Sequence, residues 1–431
     1  MAFQTPYLTA FDPLGTGEGS LDPLGLYQIA DQLAVDLVPA VRERMQRIRF
    51  LTAMAVGSIV TEGLDDDPMQ RDGSPYLVWE WLLVEALIRK KDGDETIWGV
   101  PGTLVTRRAL SQHGYMDARS YLKTPRVFGF HGVYKRLATH IGIVNVHLDP
   151  GPYAEKLVDL WARGLGLGGI AGAKPLLSRW SAAVRRSLNE KPPRTKTGWT
   201  GEEWTELAEA FAPSSSKAGE KEYLRTLLLS VDGHTLGALP NIWKLQNEFD
   251  EEGYGEEVLH NRLVAIAPSY KPLIEAVKAY EAFARRLQDA FDLLRAEAAR
   301  LDVHGFVISN IALDKGFIEC VNRLHEFYGQ AYRALGEVPN ANLLQSLFTN
   351  RFEIFRGPLD AGAYALALCD HHEKVQKAKS ADGKRPWFDR IGNDRIYLRH
   401  PYRTTRKKIQ PDRYVHDYRG RPIRRFHSDL T

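Results

Sequence analysis

Apolar residues recur every three or four positions through most of this chain, and that spacing predicts helices. Leu26, Ile29, Leu33 and Leu37 follow Asp22 and Pro23, which suit a helix start. After Pro39, a second helix is expected to carry Val41, Met45, Ile48, Leu51, Ala55 and Ile59, with Arg42, Arg44, Arg47 and Arg49 in its first half. The acidic turn LDDDPMQRDGSP separates it from YLVWEWLLVEALIRKK, a further helix. The strongest seam is in residues 270–301. There Leu273, Val277, Tyr280, Phe283, Leu287, Phe291, Leu294 and Ala298 form one apolar stripe of a kind that buries against other helices. Ser309 is expected to cap a helix through Leu335, and further helices are expected over Asn340–Phe355 and Leu359–Lys379.

Two regions depart from this style. Between Trp98 and Leu167, helices at Thr103–His113 and Phe130–His140 precede the strand-like run IGIVNVHL. A helix starting in DPGPYAEKLVDLWARG, with Asp149 as its cap, follows. That order is compatible with a winged helix-turn-helix, which would place a helix in the major groove of DNA, and equally with a small helical domain carrying a chance short strand. The glycine run GLGLGGIAGAKP after it lacks the Lys-Ser or Lys-Thr ending of a phosphate loop and follows a helix, so it reads as a helix end entering a linker. The second departure is the C-terminal end. WFDRIGNDRIYLRHPY reads as a hairpin turning at Gly392–Asp394, and YVHDYRGRPIRRF as a further strand, a turn at Gly420–Pro422 and an apolar anchor. The opening residues, rich in Gly, Pro and Thr, read as extended chain.

The expected fold class is mainly α. It comprises a multi-helix N-terminal region with a winged helix (1–167), a linker-rich segment (168–219), a helical bundle with the long helix 270–301 (220–380), and a basic, hairpin-bearing, aromatic C-terminal segment (381–431).

Charge changes the picture most. Of the 431 residues, the 48 from Lys384 onward hold 14 Lys or Arg against five Asp, a net +9, which leaves −6 for the rest of a chain whose total is +3. Such asymmetry points to a polyanionic partner, most often nucleic acid. Trp387, Tyr397, Tyr402, Tyr414, Tyr418 and Phe426 are interleaved with those arginines, and that combination suits phosphate and base contacts. The residues expected to hold phosphate are Arg403, Arg406, Lys407, Lys408, Arg419, Arg421, Arg424 and Arg425, with Lys135 and Arg136 as contacts of the winged helix. The alternative is that the arginines pair with the acidic body or with an acidic protein.

No catalytic residues and no cofactor are assigned, and the balance of motifs leans away from an enzyme. One alternative stays open, a metal-dependent nuclease or phosphoesterase built on the cluster Asp370, His371, His372 and Glu373, with His371 and His372 as ligands. A helical scaffold without nucleic-acid contact is a third. Two cysteines, Cys320 and Cys369, are expected reduced and buried, and no apolar run reaches the length of a membrane span. The absence of a basic region followed by an apolar stretch at the start leads to the expectation of a cytoplasmic protein.

The stretch SLDPLGLYQIADQLAVDLVPAVRERMQRIRFLTAMAVG, together with HHEKVQKAKSADGKRPWF and the terminal YRGRPIRRFHSDL, resembles the two ends of uncharacterised bacterial proteins encoded in anti-phage defence loci. The resemblance implies a subunit of a multi-protein antiviral defence complex, with DNA and other protein subunits as partners. It carries no catalytic residues.

Overall fold

The computed structural model describes residues 22–64, 73–90, 97–122, 125, 129–213, 216–229, 236–248, 255–300, 305–379 and 383–431. The extended chain expected before residue 22 and most of the acidic turn after Leu64 lie outside them. The protein is mainly helical, with 66% helix, 4% strand and a small antiparallel sheet near the C-terminus. It divides into two compact units, Met1–Leu37 with Phe249–Tyr418, and Val38–Glu248 with Arg419–Thr431. Each unit joins two stretches distant in sequence.

The first unit is organised by the 30-residue helix Lys271–Arg300. All eight residues of its predicted seam are buried. Helices Tyr27–Leu37, Lys315–Val321, Leu324–Ala334 and Ala361–Lys377 pack on it, and Ala341–Phe352 joins them through its rings. Phe283 meets the edges of Tyr328, Phe348 and Phe352 at centroid distances of 6.0, 5.2 and 5.3 Å, a favoured aromatic arrangement. Tyr280 carries its hydroxyl into the core and donates to Leu26 O at 2.6 Å.

The hairpin forms as the sequence predicts. Strands Phe388–Ile391 and Arg395–Leu398 pair antiparallel, Phe388 opposite Leu398 and Ile391 opposite Arg395. Gly392 takes a φ of 64°, which an L side chain adopts only with strain. A third strand, Phe306–Val307, adds to the other edge of Arg395–Leu398.

Ser309 does not start the helix expected there. It lies in a 3-10 turn, Ile308–Leu313, and Asp314 caps Lys315–Val321 by accepting from the Phe317 N–H at 2.9 Å. Arg323, with φ 56°, then breaks the run before Leu324–Ala334. Cys320 and Cys369 are free thiols, both buried.

The second unit packs helices Pro75–Arg89, Phe130–His140, Ala154–Gly164 and Ile170–Leu188 around Arg49–Thr61, and Gly201–Phe211 lies against Pro75–Arg89. Arg49–Thr61 is buried on nearly every side, the position of a central helix. Residues 41–48, expected to belong to it, are non-helical although Val41, Met45 and Ile48 are buried. Trp79, Trp161, Trp180 and Phe211 form an aromatic knot, with Trp161 and Phe211 stacked at 5.5 Å.

Glu80 binds one helix to another. Its carboxylate accepts from the Tyr121 hydroxyl at 2.6 Å and from the N–H groups of Phe130 and His131 at 2.9 and 3.0 Å. It thus caps Phe130–His140 from outside that helix, in the favourable field of its N-terminus. Burial still dominates and pushes the Glu80 carboxyl up to about 7.

Further expectations for this unit are corrected. IGIVNVHL forms no strand: Asn145 Oδ1 accepts from the N–H groups of His147 and Asp149 at 2.8 and 3.0 Å, closing a loop in which Leu148 has φ 72°. Val144 and Pro150 make only an isolated bridge, so the β-wing of a winged helix is missing among the described residues. Asp149 serves that loop rather than capping the next helix, which begins at Ala154 without a side-chain cap.

The glycine run is not a linker. It turns the chain tightly, with positive φ at Gly166, Gly168 and Gly169, into the 19-residue helix Ile170–Leu188. Leu176, Leu177, Trp180, Ala183 and Val184 are buried on one face of that helix. With Gly201–Phe211, closed by a Thr200–Glu203 capping box, it makes the 168–219 segment largely structural. The terminal turn and apolar anchor are in fact one helix, Gly420–Leu430, whose Ile423, Phe426 and Leu430 are buried against helices Ala218–Leu229 and Leu239–Leu245, and residues 414–418, expected as a strand, have no regular structure. The spacing of those three residues is helical.

Candidate nucleic-acid interface

The basic end is ordered, as its aromatic content predicts, but many of its guanidinium groups serve the protein itself. Arg390 lies across the outer face of helix Ala361–Lys377, with Nε 2.8 Å from Glu373 Oε1 and Nη2 2.6 Å from Asp370 Oδ1. Arg385 pairs with Asp389 at 2.9 Å. Arg399 is buried, its guanidinium 5.7 Å from the Tyr402 ring centroid. Arg406 pairs with Asp314 and comes within 3.6 Å of Glu297. Of these four, Arg406 is among the residues expected to hold phosphate. The direction of all four is set by carboxylates and rings contributed from elsewhere in the chain.

The expected phosphate ligands divide between the two units. Arg403 and Arg406–Lys408 belong to the first, on a stretch without regular structure. Arg403 is half-buried, while Lys407 and Lys408 are exposed. The two lysines line a cleft of about 420 Å³ with Arg285, Asp289, Asp292 and Gln410. Both carboxylates there already face arginine: Asp289 is 3.2 Å from Arg285, and Asp292 is 2.8 Å from Arg295. Arg285 and Arg295 also hold the overlying segment by its carbonyls, at Arg413 and Tyr402 respectively, each at 2.7 Å. The backbone bearing the two lysines is therefore anchored on both sides of them.

In the second unit Arg419 is buried, in the left-handed conformation that starts the last helix. It does not present its guanidinium to a phosphate chain, which corrects its assignment. Arg421 is exposed, and Arg424 and Arg425 are half-buried on the same helix. Lys135 and Arg136 lie on Phe130–His140. Lys135 lines a cleft of about 550 Å³ with His131, His147 and Asp149, and Arg136 is exposed. Among the described residues no wing accompanies them.

One group of residues in this unit was not anticipated. Trp98 is 47% exposed, whereas Trp79, Trp81, Trp161, Trp180, Trp243 and Trp387 are buried. The guanidinium carbons of Arg47 and Arg425 lie 4.9 and 5.2 Å from its ring centroid, within cation–π range. Arg47 is held by Asp429 at 2.6 Å, and the backbone N–H groups of Gln46 and Arg47 both donate to the Tyr134 hydroxyl at 2.9 and 3.1 Å. Gly99, at φ 86°, lets the turn close on this segment, since a Cβ there would lie 2.6 Å from Gln46 Cβ. Three stretches remote in sequence thus meet at one ring. An isolated Trp beside glycine and proline was the only local signal for it.

The histidine pair occupies the opposite face of its helix from Arg390. His371 Nε2 donates to Leu24 O at 2.8 Å. His372 Nδ1 donates to Pro23 O at 2.9 Å, and its Nε2 accepts from the Trp387 N–H at 3.0 Å. Both rings are buried, and burial pushes their pKa values down to about 4 and about 3. His372 thus has both nitrogens engaged by backbone, and the two acids of the cluster face Arg390 instead. Among the described residues no group of three or more His, Cys, Asp or Glu is placed to hold a metal ion. The ligand set proposed for a phosphoesterase is therefore not assembled here. Among the described residues no helix is long and apolar enough to cross a membrane.

Comparison with known proteins finds no matching family model, no similar curated protein and no similar solved structure.

Proposed function

We propose that the protein is a non-catalytic, nucleic-acid-binding subunit of a multi-protein complex. Lys407 and Lys408 of one unit, and Arg421 with Arg425 of the other, contact phosphates, with DNA as the principal ligand. The observation that carries this reading is the exposure of Lys407 and Lys408 on a segment held down by Arg285 and Arg295, beside carboxylates that already face arginine. Cations carried on an ordered backbone leave only side-chain freedom to be lost when they meet a phosphate chain. The resemblance of both chain ends to proteins of anti-phage loci supports a bacterial defence complex as the setting.

Salt-titrated binding tests the reading. Replacing both lysines with glutamine lowers affinity for duplex DNA and reduces the slope of log K against log salt by about two. Arg406→Gln, which breaks an internal pair, leaves that slope nearly unchanged. Equal slopes for the wild type and the double lysine variant refute the assignment.

A second reading is a scaffold without nucleic-acid contact. The internal pairing of Arg385, Arg390 and Arg406 favours it, as does the exposure of Leu104 and Leu313 on the surface. Partner subunits that stay bound after nuclease treatment, from a protein that binds no DNA, decide for it.

A further inference from the structure

We infer that Trp98, flanked by Arg47 and Arg425, is a base-stacking platform that selects single-stranded nucleic acid. The inference rests on the nucleic-acid reading above and adds to it a site and a strand preference. An exposed indole is a large flat apolar surface in contact with water, and every base has a π face that can cover it. In a duplex those faces are occupied by neighbouring pairs, so the ring discriminates in favour of unpaired strands. The surroundings match this use. The two guanidinium groups lie 4.9 and 5.2 Å from the ring centroid, and guanidinium both stacks on planar groups and grips phosphate. On binding, a base takes the place of the Arg425 guanidinium on the indole, and that guanidinium moves to the adjacent phosphate while Arg47 stays held by Asp429.

The platform is also preorganised. Arg47 is tied through Asp429, whose other oxygen accepts from the Ile48 N–H at 3.2 Å. The Tyr134 hydroxyl fixes the backbone of Gln46 and Arg47 from within the core, where burial pushes that phenol up to about 12, so it stays a neutral hydroxyl that accepts both amide hydrogens. Gly99 fixes the approach of the Trp98 turn. Arg425, chosen from the sequence as a phosphate ligand, lies beside the one tryptophan that is exposed among the described residues.

The test compares full-length wild type with Trp98→Ala, Trp98→Leu and Trp98→Phe, by fluorescence anisotropy with labelled oligodeoxythymidine and with a blunt duplex of equal length. Alanine and leucine weaken single-strand binding roughly five- to a hundredfold, the range expected for one lost stack. Phenylalanine recovers most of the affinity, duplex binding holds, and the salt slope of the single strand is unchanged. Leucine preserves apolar bulk, so its failure separates loss of the π face from loss of packing, and melting by circular dichroism verifies that each variant folds. If Trp98→Ala binds oligodeoxythymidine as tightly as wild type does, the platform is refuted while phosphate binding stands. An equal loss for both strands with a reduced salt slope also refutes stacking. Wild-type protein that binds neither probe overturns the platform and the nucleic-acid reading together.

Discussion

His372 and Trp387 are joined by a hydrogen bond of 3.0 Å, in which the imidazole Nε2 accepts from the Trp387 backbone N–H. The same ring donates from Nδ1 to Pro23 O, so one side chain fastens the segment before the hairpin and the segment before the first described helix to Ala361–Lys377. Its tautomer follows from its neighbours, because a carbonyl can only accept and an amide N–H can only donate. This is a clamp within one compact unit, and it explains why His372 is buried in a cluster that otherwise looks like metal ligands.

Removing the clamp is costly. His372→Ala strips the Trp387 amide of its acceptor, leaves the Pro23 carbonyl only the longer bond from Gln376 Nε2 at 3.3 Å, and opens space beside Phe291, Trp387 and Phe388, whose rings lie 4.9, 5.5 and 5.3 Å away. The expected loss is about 3–4 kcal/mol, seen as a lower urea midpoint at similar m-value. A loss under about 0.5 kcal/mol contradicts the clamp.

Acid acts on the same histidines. Their folded pKa values, about 4 for His371 and about 3 for His372, lie below the ordinary value of 6.5. The unfolded chain therefore binds protons that the folded one refuses. Their contribution is fully present above pH 6.5 and declines as pH falls toward 4, by about 1.4 kcal/mol per pH unit for each histidine. Stability curves of wild type and His372→Gln, measured between pH 7 and pH 4, differ in slope by one such increment. Parallel curves disprove the assignment.

Arg49 and Glu220 form a buried pair in the second unit, and Arg49 also donates to Ala210 O at 2.8 Å. Burial pushes the Glu220 carboxyl up and the Arg49 guanidinium down, while each partner opposes the shift of the other. Arg49→Met strands a carboxylate and costs about 3–5 kcal/mol, whereas the double change with Glu220→Leu regains much of it. A double-mutant cycle in denaturant measures the difference, and additive losses argue against coupling.

Glu80→Ala removes the acceptor for the Tyr121 hydroxyl and for two amides at the start of Phe130–His140. We expect a loss of about 3 kcal/mol, with Glu80→Gln losing less because it keeps one acceptor oxygen. Hydrogen exchange localises the damage: the first turn of that helix exchanges faster in the alanine variant. Unaltered protection there disproves the cap.

Local spacing determined the helical class, the buried seam from Leu273 to Ala298 and the hairpin about Gly392, because periodicity and turn chemistry act within a few residues. The same reasoning failed where a short apolar run has two readings. IGIVNVHL became a loop once Asn145 claimed the amides of His147 and Asp149, and Gly420–Leu430 became a helix once Ile423, Phe426 and Leu430 found a helical surface to cover. Tertiary structure alone decided the direction of the charges. Arg390 meets Asp370 and Glu373, Arg406 meets Asp314, Arg47 meets Asp429, and Arg425 reaches Trp98. A sequence counts charges but does not say which will be paired. Pairing depends on distances between residues far apart along the chain, and those distances exist only after the core has formed.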